Sequence, residues 1–177
     1  MIFGMSKGSK LEESRYFLNK LKTLRDELST LRESPDPGHE SEFRFILSAF
    51  LSASRSVLQY VYEDVRAKGQ EASAWWRGQF DSASSGPVLR FFKQERDQNI
   101  HFSAVIPDVQ GATYMSIGSI GPDLKEATMP DPIKYSVFSI RFANWNGNED
   151  LISLCERYLG FIEEIVCSGQ SRGFLQP

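Results

Sequence analysis

The chain has 177 residues, of which 41% are hydrophobic and 24% are charged, a composition typical of one soluble globular domain. Its net charge of −3 argues against a general attraction to polyanions, so any contact with a nucleic acid has to be local. No apolar run approaches the roughly 20 residues that a membrane span needs. The first ten residues lack an apolar segment of signal-peptide length, and a cytoplasmic location is therefore expected.

The cysteines and histidines are too few and too scattered for a disulfide framework or a zinc site. Cys155 and Cys167 fall on one predicted helix, where their separation is about 18 Å and excludes a bridge. The chain holds two Cys and two His without paired spacing, which does not make a zinc site. We expect neither a metal nor a cofactor.

Two long amphipathic helices are predicted in the first part of the chain. Residues 1–8 form a loose tail, and Ser9 with Glu12 makes a capping box that opens a helix running to about Arg32. Its apolar stripe is typical of a core face or a dimer seam. The residues of that stripe are Phe17, Leu18, Leu21, Leu24, Leu28 and Leu31.

The second helix follows the break at 34–38 and runs from about Glu40 to Lys68, with Gly69 ending it. Small residues at 52–56 surround Arg55. They favour close approach of a neighbouring helix, and the alternative is that Arg55 reaches toward residues 96–101. The predicted buried face consists of Phe43, Ile46, Leu47, Phe50, Leu51, Val57, Leu58, Val61 and Val65.

A short helix over 71–80 carries Trp75 and Trp76. An adjacent pair of tryptophans either closes one end of a hydrophobic core or stacks on bases, and the apolar neighbours favour the core. After a loop over 81–86, Ser85 or Gly86 caps the next helix, in which Pro87 suits the first position. That helix is expected to run to about Ser103.

Residues 104–143 are predicted to form a β insertion. Alternating or β-branched patterns favour strands at 101–107, 113–120 and 134–142. The predicted first turn is 107–111, and an irregular loop occupies 121–132. These segments predict a small antiparallel hairpin or sheet.

The last helix is predicted over 148–167, with Asn148 as its N-cap, and 168–177 is expected to be a frayed tail. The predicted fold is one mainly α domain, an up-and-down bundle of about four long helices plus a short one. The β hairpin would be inserted before the last helix. The buried residues of that helix are Leu151, Ile152, Leu154, Cys155, Tyr158, Leu159, Ile162, Ile165 and Val166.

The fourth helix carries the residues with the clearest chemical potential, Arg96 and His101. An arginine keeps its charge at physiological pH, whereas a histidine exchanges a proton near neutrality, so the two together suit a phosphate. The alternative is that both are solvated or interact with the C-terminal helix dipole.

A helical bundle with R-x4-H late in its third or fourth helix resembles the HEPN superfamily of nucleotide-binding domains. Here the motif runs from Arg96 to His101, and Asp97 is the polar residue that usually follows the arginine. The second helix, with FLSASRSVLQYVYEDV, is also similar to family members. The resemblance covers residues 10–103 and 148–167 and does not include the strands.

The resemblance implies a metal-independent endoribonuclease acting as a homodimer on RNA, without a cofactor. His101 would move protons as an RNA 2′-OH attacks the adjacent phosphorus, and Arg96 would stabilise the phosphoryl charge. Asp97 would orient Arg96 or His101. A toxin–antitoxin role with an antitoxin or regulatory partner also follows, but the tyrosine modified in one toxin branch is replaced by Ser103.

Two other hypotheses remain open. One is a non-catalytic HEPN-like module for dimerisation or for binding a ligand or partner, because many family members have lost cleavage. In that case Arg96 would be held in a buried salt bridge, for example with a neighbour of Glu95 or with Asp64. The other is an unrelated α+β protein whose sheet surface or loop at 121–132 binds a small ligand or a protein.

Overall fold

The computed structural model describes residues 7–30, 37–101, 107–115 and 134–176. The mainly helical class predicted from the sequence is confirmed, and the bounds of the elements shift by a few residues from the predicted ones. The elements in chain order are α1 (Lys7–Thr30), α2 (Pro37–Arg66), α3 (Gln70–Asp81), α4 (Gly86–His101), β1 (Pro107–Met115), β2 (Lys134–Phe142) and α5 (Leu151–Ser171).

One hydrophobic cluster draws on all five helices and on β2. Helix α5 contacts α1, α2, α4 and β2, while α1 packs along α2. Within the cluster the ring of Phe92 in α4 stacks on that of Tyr158 in α5, with centroids 4.1 Å apart and planes 2° from parallel. Phe142 of β2 packs edge-on against Phe92 at 5.5 Å. The strand pair is thereby attached to the helices through aromatic contacts.

The predicted apolar faces agree with the observed core. In α1, Leu18, Leu21 and Leu24 are buried and Phe17 packs against the cluster, whereas Leu31 and the side chain of Leu28 lie outside the described residues. Every predicted position of α5 is buried, and in α2 only Ile46 remains partly exposed. Helical periodicity therefore identified the buried faces correctly.

Strands β1 and β2 pair antiparallel, with Pro107 opposite Phe142 and Met115 opposite Lys134. The turn predicted at 107–111 is wrong, because these residues form the first half of β1. Pro107 is tolerated there as the first residue of a strand, where its missing N–H does not interrupt the ladder. The strand predicted to begin at His101 is also wrong, since this residue ends α4. Residues 102–106 and the loop at 121–132 lie outside the described residues.

The start of α1 differs from the prediction, because the helix begins at Lys7, within the expected tail of 1–8. The Lys7 ammonium lies 2.7 Å from a carboxylate oxygen of Asp64 at the end of α2. Ser9 is consequently inside the helix and not at its cap. Residues 1–6 lie outside the described part of the chain.

The N-cap of α5 is Asp150 and not Asn148. The Asp150 carboxylate accepts from the backbone N–H groups of Ile152 at 3.0 Å and Ser153 at 3.1 Å. Burial acts to raise the pKa of Asp150, but the hydrogen bonds from Ser153 and Ile152, helped by the charge of Arg25, outweigh it and lower the pKa. An ionised cap of this kind also interacts favourably with the helix dipole.

The prediction of a frayed tail at 168–177 is wrong. Helix α5 continues to Ser171, after which the chain turns back, and the N–H groups of Phe174 and Leu175 donate to the Gly169 carbonyl at 2.9 and 3.2 Å. Leu175 is only 4% exposed, and the Phe174 ring lies 5.6 Å from that of Trp75. The segment is thus held by two backbone hydrogen bonds and by the packing of Phe174 and Leu175.

The remaining sequence expectations for the core are met. Trp76 is 9% exposed and belongs to the hydrophobic cluster, against which Trp75 packs. Cys155 is buried and Cys167 is exposed, and both are free thiols. Burial raises the pKa of the Cys155 thiol, with the charges of Asp150 and Glu156 adding to the effect.

Candidate functional site

Helix α4 positions the R-x4-H motif. The Ser85 carbonyl accepts the Leu89 N–H at 2.9 Å, which puts Ser85 at the N-cap position. Gly86 follows where a Cβ would lie only 2.3 Å from the Phe80 carbonyl oxygen, so a glycine is required for α4 to start this close to α3. Among the described residues of the helix, the buried apolar side chains that hold it are Val88, Leu89 and Phe92.

Arg96 and Asp97 form an ion pair near the C-terminal end of α4. Their side chains are 30% and 46% exposed, and Nη1 of Arg96 lies 3.5 Å from Oδ1 of Asp97, the long limit of a hydrogen bond. The Nε atom of Arg96 is buried without a hydrogen-bond partner among the described residues. The Arg96 side chain is therefore buried at Nε, while another part of it reaches the surface.

His101 is the last residue of α4, and its side chain lies outside the described part of the structure. Because the helix continues unbroken from Arg96 to His101, the two Cα positions differ by about 7.5 Å along the axis and about 140° around it. The backbone therefore brings the pair to the same end of α4, on different sides of that helix.

Asp64, one of the alternative partners suggested for Arg96, is not used. Asp64 pairs with Lys7, and the carboxylate that Arg96 pairs with is its own neighbour, Asp97. Arg55 lines a groove with Arg90 and Lys93, which precede the motif in α4. In the same part of α2, residues 53 and 54 are buried, as expected of small residues that admit a neighbouring helix.

Sequence reasoning missed Glu95, which is 4% exposed and directly precedes the motif in α4. The side-chain amide of Asn144, just after β2, donates to Oε1 of Glu95 at 3.5 Å. Burial raises the pKa of Glu95, while the hydrogen bond from Asn144 acts in the opposite direction. Glu95 lies seven positions after Val88 and three after Phe92, both buried, so the helical spacing placed it on the buried face of α4. Only the tertiary packing reveals its contact with Asn144.

A groove between α2, α3 and α4, about 410 Å³ in volume, was likewise not predicted. It combines three cationic side chains with three aromatic ones, and no carboxylate from the described part of the chain lines it. We call it the cationic groove. Its lining residues are Arg55, Gln59, Tyr62, Trp76, Phe80, Arg90 and Lys93.

Among the described residues, no group of three or more His, Cys, Asp or Glu side chains is arranged to hold a metal ion. Over the same residues, no helix combines the length and the apolarity required to cross a bilayer. No family model, no curated protein and no solved structure matches the chain. The residues themselves must therefore carry the functional argument.

Proposed function

We propose that this protein is an HEPN-like endoribonuclease of the cytoplasm, acting as a homodimer in which Arg96 and His101 cleave RNA without a metal. The proposal is supported by one observation in particular. Helix α4 extends through the whole motif, with the Arg96 guanidinium held by Asp97 at the surface end.

The chemistry assigned to each residue follows from its protonation behaviour. His101 removes the proton of a 2′-OH and returns a proton to the departing 5′-oxygen, which an imidazole does efficiently near neutral pH. Arg96 donates hydrogen bonds to the phosphoryl oxygens as negative charge accumulates on them. Asp97 keeps the guanidinium oriented, and is a positioning residue because it acts through Arg96.

The helical offset supports the dimer. Arg96 and His101 differ by about 140° around one helix, so their Cα–Cβ bonds leave that helix in different directions. Two copies related by a twofold axis, with the C-terminal ends of α4 facing each other, bring the Arg96 of one copy toward the His101 of the other. In this arrangement the helices form an up-and-down bundle, and the β1–β2 pair is an insertion before α5 that borders the cleft.

The second candidate is a non-catalytic HEPN-like module for dimerisation or for binding a ligand or partner. It is favoured by the partly buried guanidinium of Arg96, whose Nε lies in the protein and whose Nη1 pairs with Asp97. A toxin–antitoxin role, with an antitoxin as partner, remains part of the first proposal only.

Incubating RNA with the purified protein in EDTA distinguishes the nuclease from the non-catalytic module. Attack by the 2′-OH leaves fragments with 2′,3′-cyclic phosphate ends, which mass spectrometry identifies. Arg96→Lys keeps the charge but loses the fork geometry, and Arg77→Lys, on the exposed surface of α3, is its matched control. A homodimer that leaves RNA intact supports the non-catalytic module and ends the nuclease proposal.

A further inference from the structure

We propose that the cationic groove binds a nucleotide unit, with Arg55 and Lys93 on its phosphate and Tyr62 against its base. The groove is formed by α2, α3 and α4 upstream of the R-x4-H motif, and Arg96 is not among its lining residues. The inference goes beyond the proposed cleavage reaction and does not depend on it. The volume of the groove, about 410 Å³, falls within the range of small-molecule sites.

The charge of the groove is unusual for a chain with a net charge of −3. Arg90 is already hydrogen-bonded within the protein, because its guanidinium donates to the Phe80 carbonyl at the end of α3. Arg55 and Lys93 make no ion pair with any described residue. Two cations without a carboxylate partner in one concave surface favour an anionic ligand.

One carboxylate lies near the rim. Glu63 accepts a hydrogen bond from the Gln59 amide at 2.8 Å, and both residues are exposed on α2. Glu63 does not belong to the groove lining. The local charge of the groove therefore remains positive, which suits a phosphate group more than a neutral ligand.

The aromatic side chains give the groove a surface for a planar ring. Tyr62 keeps 41% of its surface exposed and is backed by Trp76, with ring centroids 6.3 Å apart. Trp76 is in turn fixed edge-on against Phe80 at 5.1 Å. A tyrosine supported in this way offers a flat surface on which a base of any sequence stacks, because every base has a π-face.

The nucleotide unit in the groove is either a free nucleotide or one nucleotide of a single RNA strand. Lys93 precedes Arg96 by three positions and His101 by eight, which correspond to about 4.5 and 12 Å along α4. A strand that places one nucleotide in the groove can therefore continue along α4 toward the motif. A free nucleotide would occupy the groove alone.

The test measures binding of adenosine 5′-monophosphate and of a five-nucleotide oligoadenylate to the full-length His101→Ala protein, by calorimetry at 50 and 200 mM salt. We expect AMP to bind more tightly than either adenosine or inorganic phosphate. Lys93→Gln and Tyr62→Ala should each weaken binding at least fivefold. Lys20→Gln and Tyr16→Ala, exposed positions on α1, are the matched controls and should have no effect.

Tighter binding of the oligonucleotide with a steeper salt dependence identifies a strand as the source, and equal binding identifies the free nucleotide. The inference is overturned if neither ligand binds, or if the groove variants bind as well as the controls while circular dichroism shows all of them folded. Binding without RNA cleavage by the unsubstituted protein would refute the proposed nuclease alone. Cleavage without groove binding would refute this inference alone.

Discussion

Asn144 donates its side-chain amide to the buried carboxyl group of Glu95 at 3.5 Å. This contact joins the turn after β2 to the helix that carries Arg96. Trp145 adds a second connection, since its ring lies 4.9 Å from that of Phe91 and its indole N–H donates to Glu149 at 2.8 Å. The end of the strand pair is thus fixed to α4 immediately before the R-x4-H motif begins.

Replacing Glu95 by Gln should stabilise the protein at pH 8. Burial raises the pKa of Glu95 above its ordinary value of 4.5, so the folded state holds this proton to higher pH than the unfolded state does. Stability is therefore lost as the pH rises from 4.5 through the folded-state pKa. Glu95→Gln avoids that loss and should raise the free energy of unfolding by about 1 kcal/mol at pH 8.

Urea denaturation at pH 4.5 and pH 8 measures this effect. The advantage of Glu95→Gln over the unsubstituted protein should be smaller at pH 4.5 than at pH 8. The matched control is Gln94→Glu, at the exposed neighbouring position of α4, which should change stability little at either pH. An advantage independent of pH would show that Glu95 is not desolvated.

Removing the N-cap of α5 should destabilise the protein. The Asp150 carboxylate accepts from two backbone N–H groups, and its lowered pKa means that its contribution is present above the unfolded-state pKa and is lost as the pH falls through the folded-state pKa. Asp150→Ala should therefore cost about 1 kcal/mol at pH 7. Thermal unfolding monitored by circular dichroism detects this cost.

Asp150→Asn is the control for the cap, since asparagine retains an acceptor oxygen without titrating. It should keep most of the stability at pH 7 and lose less than the unsubstituted protein on acidification. If Asp150→Ala were as stable as Asp150→Asn, the hydrogen bonds that Asp150 accepts from Ile152 and Ser153 would contribute nothing to the stability of the fold.

The C-terminal segment should contribute to stability through Leu175. Its side chain is 4% exposed and lies beside Gly169, where an added Cβ would come within 2.6 Å of a Leu175 methyl group. Leu175→Ala should cost about 2 kcal/mol, the lower end for a buried leucine, measured by urea unfolding. Gln176→Ala, at the exposed neighbour, should be neutral, and equal effects of the two would mean that Leu175 does not pack.

Mixing two inactive variants tests how the proposed nuclease site is assembled. If Arg96 of one copy acts with His101 of the other, a mixed dimer of Arg96→Ala and His101→Ala retains one intact site. Random exchange of subunits should then restore about a quarter of the unsubstituted activity. If no activity is recovered although native mass spectrometry verifies subunit exchange, Arg96 and His101 of the same copy act together.

Periodicity was sufficient to predict the helices and their buried faces, because burial repeats every three or four residues along α1, α2 and α5. It did not distinguish Asn148 from Asp150 as the cap, since both are good caps and the start of the helix depends on the burial of Leu151 and Ile152. It also missed the docking of Leu175, which is an isolated apolar residue near the chain end with no repeat around it.

The candidate site likewise contains one feature that the sequence indicated and one that it did not. The resemblance implied that Asp97 orients either Arg96 or His101, and in the structure its Oδ1 lies 3.5 Å from Nη1 of Arg96. The cationic groove offered no such signal, because Arg55 and Lys93 are separated by 38 positions and meet only through the packing of α2 with α4. Tertiary proximity of that kind has no counterpart in a local pattern.

The rate of RNA cleavage in EDTA by the unsubstituted protein and by His101→Ala is the most direct test of the central proposal. General acid–base catalysis by the imidazole predicts cleavage that falls by about 10²–10⁴-fold in His101→Ala. Cleavage at an equal rate in the two proteins, or intact RNA with the unsubstituted protein, would contradict it.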